Sequence, residues 1–234
     1  MRLTVDASVV ETFRRRASLR GMWDLAFVLR VLPFVVFLAL PFRPAHGDEL
    51  ECGSLQNAFG PFDYRDASKG GELHLVEIAH FTSDVQALRR GTSSFSPIND
   101  IDYTLRAFPN HWPALDAVSR FALNGGNLLT FRTAECYFDR ATRFVPDDGK
   151  VHLLYGIHLM RARHNEDARK ELLAAEQLSP ESVDVAYNLG LLYLRLGETD
   201  KASEKARFAY GRGYPLPGLK EALRKSGAWK EPDP

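Results

Sequence analysis

Three residues in the N-terminal half have side chains that commonly bind metal ions. His74, Glu77 and His80 are spaced three residues apart. The stretch 72–82 alternates loosely between apolar and polar residues, which predicts a short strand or extended segment. On a strand the two histidines share one face and Glu77 points to the other. We therefore favour a surface or packing role for them, and we expect no metal and no cofactor.

A second group of histidines, His152, His158 and His164, recurs every six residues. That interval does not place side chains on one face of a helix, so a packing or surface role is again favoured. Glu166 and Asp167 begin a predicted helix, where its dipole favours negative charge. The sequence contains no motif typical of serine hydrolases, zinc peptidases, paired redox cysteines or phosphate-binding loops. We therefore predict that the chain is not an enzyme.

The first 47 residues have the composition of an export signal. Arginines precede an apolar run at 31–42, and in the sequence Ala45-His46-Gly47 that follows, Ala45 and Gly47 are the small residues that a signal peptidase requires. The run is shorter than the ~20 residues that a membrane span needs. We predict cleavage after Gly47 and export, into the periplasm. An uncleaved inner-membrane anchor remains the alternative, and translation could start at either Met1 or Met22.

Charge and cysteine content limit the partners and the compartment. Cleavage removes seven arginines and three acidic residues, which leaves 23 basic and 27 acidic residues and a net charge of −4. Nucleic-acid binders are usually basic, so no nucleic acid is expected. We expect membrane contact only through the N-terminal signal or anchor. In an oxidising compartment Cys52 and Cys136 could form a disulfide, and the alternative is two free thiols with Cys136 buried.

The C-terminal half repeats itself with a period of 34 residues. The matched pairs are Gly156 with Gly190, Leu159 with Tyr193, Ala168 with Ala202, and Ala175 with Ala209. An earlier copy matches the second one at Ala134, Phe138, Ala141 and Pro146. A fixed period of this length is typical of stacked helical units.

The pattern resembles the tetratricopeptide repeat, in which each unit is a pair of antiparallel helices. The resemblance implies an all-α fold, a short right-handed α-solenoid of about three helix pairs. We expect this array at residues 113–234, beginning with a helix at about 113–122 and ending in a capping helix at 218–227, with Trp229 folded back as an anchor. Residues 48–112 lack the period and are predicted to be an irregular leader packed on the repeats.

The repeat explains glycines that stand inside helical sequence. Gly156 and Gly190 are predicted to let the two helices of a unit approach closely, with Ala168 and Ala202 as small partners. Gly197 is predicted to end a helix in the left-handed conformation, which glycine adopts at little cost.

Two turns depart from the family pattern. Arg163 stands in the second unit where the third has Gly197, which predicts a less sharp turn there. In the first unit Ser119 replaces the usual glycine, and the segment 123–132 adds about three residues to the turn.

The resemblance implies that the functional surface is the concave groove. By alignment its lining residues are Leu153, Ile157, Met160, Arg161, Asp184, Tyr187, Asn188, Leu191, Leu194 and Arg195. Exposed apolar residues in this number usually mark a contact surface. Arg161 and Arg195 occupy equivalent positions and could clamp a carboxylate. The family's carboxylate clamp also uses lysines and two asparagines, of which only Asn188 is present, so that particular mode is in doubt.

We therefore predict a non-catalytic protein–protein interaction scaffold of the cell envelope, with a protein or peptide segment as partner. Three alternatives stay open. The chain's own segment 53–70, with Phe59, Phe62 and Tyr64, could fill the groove. The protein could be a membrane-anchored accessory subunit of an envelope assembly. It could also be an enzyme with a site in the 48–112 leader.

Overall fold

A computed structural model describes residues 52–92 and 94–229; the predicted signal peptide lies outside these residues. The regular secondary structure in them is entirely helical, which confirms the all-α class. The helices are α1 Gly70–His80, α2 Ser83–Gln86, α3 Ile98–Ala107, α4 Trp112–Leu123, α5 Ala134–Phe144, α6 Gly149–Arg161, α7 Asn165–Leu178, α8 Val183–Arg195, α9 Thr199–Gly211 and α10 Gly218–Lys225, and a short 3-10 helix, Ala67–Lys69, precedes α1. No helix in the described ranges combines the length and the hydropathy that a membrane span requires.

Side-chain caps fix the starts of α4, α6 and α8. His111, Asp148 and Ser182 each accept a hydrogen bond from a backbone N–H in the first turn of the helix that follows. The last two caps are 34 residues apart and the first two are 37 apart. The first unit is therefore three residues longer than the second, as the sequence predicts from the longer connection between its helices.

The helices pack on near neighbours in the chain. Helix α4 contacts α5 and α6, α6 contacts α7 and α8, and α8 contacts α9 and α10. One buried apolar cluster joins α6 to α10, and another joins α2 to α6. The burial of Leu219 and Leu223 attaches α10 to the first cluster, and Trp229 packs edge-on against Tyr210 at 5.9 Å between ring centroids. The predicted anchoring role of Trp229 is thus observed.

Gly156 and Gly190 both face another helix at short range. A Cβ atom at Gly156 would lie 2.6 Å from Cγ and 3.2 Å from the backbone nitrogen of Leu172. At Gly190 it would lie 2.5 Å from Cδ2 of Leu219 and 3.4 Å from the carbonyl oxygen of Ala202. The nearest atoms at Gly156 belong to Leu172 rather than to the predicted Ala168, whereas Ala202 takes part as predicted.

The turns after α6 and α8 have the same conformation. Gly197 has a φ of +79° and Arg163 a φ of +68°, both in the left-handed region. In each turn the N–H of the following residue donates to a carbonyl near the end of the helix, with an N–O distance of 2.9 Å. The prediction of a less sharp turn at Arg163 is therefore wrong, because the hydrogen bonds impose the left-handed conformation on an arginine too.

The leader is less irregular than the sequence suggests. The prediction of a short strand or extended segment at 72–82 is wrong, since most of this stretch is the helix α1; Leu73 and Val76 are three residues apart and pack together against Phe108. Helices α2 and α3 also lie in the leader, so the prediction of irregular structure holds for 52–66 and for the described residues between α2 and α3.

Candidate functional site

A cavity of about 310 Å³ lies between α6, α8 and the connection at 212–217. Eight of the ten predicted groove residues line it; Leu194 and Arg195 do not. The complete lining is Lys150, Leu153, Leu154, Ile157, Met160, Arg161, Asp184, Tyr187, Asn188, Leu191, Tyr214 and Leu216. We call this cavity the groove.

Helical periodicity brings these side chains together. In each helix the lining residues recur at intervals of three and four, which places them on one face. Leu153 and Tyr187 are equivalent positions of the two repeats, as are Ile157 and Leu191. The middle of the groove is therefore apolar, and its charged residues lie toward its ends.

One end of the groove combines a carboxylate with two tyrosines. Asp184 lies 3.8 Å from Nζ of Lys150, so their charges largely offset each other. The rings of Tyr187 and Tyr214 stack with their centroids 4.3 Å apart. Burial raises the pKa of the Tyr214 hydroxyl to about 12, and the charge of Asp184 adds to this effect. Tyr214 therefore stays neutral and keeps its proton for donation.

Arg161 and Arg195 occupy equivalent repeat positions but make different contacts. Nη1 of Arg195 donates to the carbonyl of Met160 near the end of α6, which also accepts from the backbone N–H of Arg163 at 3.2 Å. Arg161 is exposed and lines the groove. Arg161 is thus the guanidinium available to a partner, and Arg195 stabilises the junction of α6 and α8.

Four lining residues are not in the predicted set: Lys150 and Leu154 belong to α6, whereas Tyr214 and Leu216 come from outside the repeats. The Tyr210 hydroxyl donates to the carbonyl of Leu216 at 2.8 Å and accepts from the backbone N–H of Lys220 at 3.0 Å. The Pro-Leu-Pro sequence at 215–217 is the signal that could have identified this rigid wall.

The leader lies on other helices. Phe62 donates its N–H to the carbonyl of Ala107 at 2.8 Å, and its ring packs on Phe59 at 5.2 Å between centroids. The ring of Tyr64 lies 4.5 Å from that of His111. Every described residue that lines the groove belongs to α6, α8 or the 212–217 connection, so segment 53–70 does not line it.

The three candidate metal ligands of the leader do not converge. Glu77 and His111 are 3.1 Å apart, and His80 lies 2.9 Å from a carboxylate oxygen of Asp100. His74 is exposed. Among the residues that the structure describes, no cluster of three potential ligands could hold a metal ion. Burial lowers the pKa of the His111 ring, so this histidine is held in its neutral form.

Ser119, His158 and Glu135 form a buried hydrogen-bonded chain. Ser119 Oγ lies 2.9 Å from Nδ1 of His158, and Nε2 of the same ring lies 3.1 Å from Glu135. The hydrogen bond from His158 lowers the pKa of Glu135 to about 2. These are residue types of acyl-transfer enzymes, but the serine is only 3% exposed, and none of the three lines the groove. These hydrogen bonds connect α4, α5 and α6, and we assign the three residues a stabilising role.

The remaining two histidines of the six-residue series lie at the ends of helices. His152 bonds Glu171 at 2.7 Å, which raises the pKa of the imidazole and connects α6 to α7. His164 is the N-terminal cap residue of α7, although its side chain makes no capping bond. Glu166 and Asp167 lie in the first turn of α7, as predicted.

Cys52 and Cys136 form a disulfide with an S–S distance of 2.05 Å. It attaches the start of the described chain to α5. A second cavity, of about 420 Å³, lies beside it and is lined by Cys52, Gly53, Asp102, Thr130, Phe131 and Arg132.

Comparison with models of known protein families finds no match, and comparison with curated proteins finds none either. Function must therefore be inferred from the repeat pattern and from the geometry of the site.

Proposed function

We propose that this chain is an exported repeat protein of the tetratricopeptide type that binds a segment of another protein in its groove. The fold supports this in one respect that the sequence could not supply. Each of α4, α6 and α8 contacts both the next helix and the second next helix. Stacked helix pairs in a solenoid require contacts of this kind, because a single pair cannot bury its apolar face alone.

The observation that carries the proposal is that equivalent positions of two repeats line one cavity. An apolar centre with few polar groups is typical of a binding site. Ile157 and Leu191 are only half-buried, so a partner can still cover apolar surface there. Burial of such surface would supply most of the affinity, at roughly 25 cal/mol per Å² before the costs of association.

The charges indicate the chemistry of the partner. Lys150 and Asp184 offset each other at one end. Arg161 leaves a net positive charge at the other end. The partner we infer is a peptide segment with apolar side chains and an acidic group that reaches Arg161, since guanidinium and carboxylate form strong paired hydrogen bonds.

The second candidate is an accessory subunit held at the inner membrane by an uncleaved N-terminal segment. The disulfide favours an oxidising compartment and is compatible with both versions. N-terminal sequencing of protein from the envelope fraction distinguishes them: cleavage after Gly47 supports the freely exported form, and an intact start supports the anchored one.

The groove is tested by site-specific photocrosslinking. A photoreactive amino acid is placed at Leu191, and a matched probe at Leu129, which is 92% exposed and outside the groove. The expected result is one crosslinked protein from Leu191 alone. That protein, purified, should bind the wild type and the Leu129→Asp variant but not Leu191→Asp, because a carboxylate facing an apolar partner is costly. Equal binding to Leu191→Asp, with unchanged circular dichroism, would rule out the groove.

A further inference from the structure

The segment at 52–57, which we call the strap, is held on α3 and α5 mainly through its backbone. Three consecutive carbonyls accept hydrogen bonds from arginines: Cys52 from Arg132 at 3.3 Å, Gly53 from Arg143 at 3.1 Å, and Ser54 from Arg140. Two side chains also hold it, since Cys52 is buried and Asn57 Oδ1 accepts from Arg106 of α3 at 3.1 Å, whereas Gly53, Ser54 and Gln56 are exposed. A segment with so few buried apolar contacts opens easily unless a covalent bond retains it.

Arg140 is the unusual member of this cluster. It is 1% exposed, its Nε has no hydrogen-bond partner, and in the described part of the chain it makes no ion pair. Burial lowers the pKa of its guanidinium, and the positive charges of Arg132 and Arg143 lower it further. Arg132 pairs with Asp102 at 3.4 Å and Arg143 with Asp139 at 2.8 Å, so among the described residues Arg140 is the member of the cluster without a carboxylate of its own, which is costly for a buried cation. The strap carbonyls supply only partial negative charge to it.

The disulfide is the covalent bond that retains the strap, and a dithiol could open it. One thiolate of the dithiol attacks Sγ of Cys52, the S–S bond breaks, and Cys136 leaves as a thiolate. The second thiol then displaces Cys52, so the dithiol is oxidised to a disulfide and both cysteines are reduced. Cys136 is the third residue of α5, where the helix N-terminus favours a negative charge. The 420 Å³ cavity borders Cys52 and gives a thiol an approach.

We propose that the strap is a removable cover and that, after reduction of Cys52–Cys136 by a dithiol, Arg132, Arg140 and Arg143 bind an anionic group, a phosphate or a carboxylate. Charged oxygens satisfy guanidinium donors better than backbone carbonyls do. The site is formed around α5 and α3 and does not include the groove, so it stands or falls independently of the proposed function.

The test compares three samples of the full exported chain. They are the oxidised protein, the protein reduced with dithiothreitol, and the Cys52→Ser/Cys136→Ser double variant. Hydrogen exchange at residues 53–58 should accelerate about tenfold or more in the reduced form and in the variant. Isothermal titration with inorganic pyrophosphate and, separately, with succinate should show binding to those two forms only. The stronger of the two ligands identifies phosphate or carboxylate as the preferred group.

Arginine variants establish where the anion binds. In the reduced form, Arg140→Gln and Arg143→Gln should each weaken binding about tenfold or more. Arg120→Gln should leave it unchanged, since Arg120 matches Arg143 in exposure and in its pairing four residues back, with Asp116, but lies on α4 outside the cluster. Unchanged exchange at 53–58 after reduction would overturn the proposal, and so would anion binding equal in both redox states. Loss of helical circular dichroism in both reduced forms would also overturn it, by making the disulfide a bond on which the fold depends.

Discussion

The turn at Arg163 offers a direct measure of what its left-handed backbone costs. Arg163 and Gly197 occupy equivalent positions after α6 and α8, with φ values of +68° and +79°. An L-residue in this region pays roughly 1–2 kcal/mol, whereas glycine pays none of it but loses about 0.5–1 kcal/mol more backbone entropy on folding. We therefore expect the backbone contribution at position 163 to favour glycine over another L-residue by about 0.5–1 kcal/mol.

Charge must be separated from conformation, since a cation near the end of α6 is itself worth about 0.3–1 kcal/mol. Arg163→Ala removes the charge and keeps the strained backbone. The difference between the alanine and glycine variants thus isolates the conformational contribution, and it should favour glycine by about 0.5–1 kcal/mol. Urea unfolding followed by circular dichroism provides the midpoints, and the thermal midpoint should rise by about 1–4 °C from alanine to glycine.

Gly197→Ala is the reciprocal experiment. No heavy atom lies within 4 Å of the position that its Cβ would take, so steric overlap does not contribute. The stability lost in Gly197→Ala should therefore equal in size the stability gained from alanine to glycine at position 163. Equal midpoints for Arg163→Ala and Arg163→Gly would refute the reasoning, and so would a fully stable Gly197→Ala variant.

Three further predictions address packing, pH and the two arginines. Gly156→Ala should destabilise the fold by about 1–3 kcal/mol in urea unfolding, because the new Cβ meets Leu172 in both side chain and backbone. In the folded protein the pKa of Glu135 is lowered from its ordinary value of 4.5 to about 2, so the stabilisation that its carboxylate provides is present above pH 4.5 and is lost as the pH falls toward 2. The difference in unfolding free energy between wild type and Glu135→Gln should therefore shrink from pH 6 to pH 3. A difference that stays constant over this range would contradict the prediction. Arg195→Ala should lower the unfolding midpoint, at a cost of about 0.5–1.5 kcal/mol, and leave partner binding intact, whereas Arg161→Ala should weaken binding and leave the midpoint unchanged.

The 34-residue period predicted much of the helical C-terminal half, because identical packing requirements recur at identical spacing. It did not predict the helix α1. Its sequence is apolar on several sides, so that neither alternation nor a clear apolar stripe indicated which period applied, and Leu75 and Ile78 remain exposed on it. The decisive contact is tertiary: Val76 is buried against α3 in the folded chain.

The candidate groove shows the same limit at the level of single side chains. Alignment assigns the backbone position of a residue, and it therefore treats Arg161 and Arg195 as equivalent. Their surroundings differ, because Arg195 is the last residue of α8, which contacts α6, and its guanidinium reaches the carbonyl of Met160 near the end of α6. Tyr214 and Leu216 were missed for the converse reason, since they belong to no repeat position and reach the groove only because α10 turns the chain back over α8. Under the proposed function, partner specificity would depend on where the repeats end, because Tyr214 and Leu216 are the residues that would distinguish this groove from another with the same Leu153, Ile157 and Leu191.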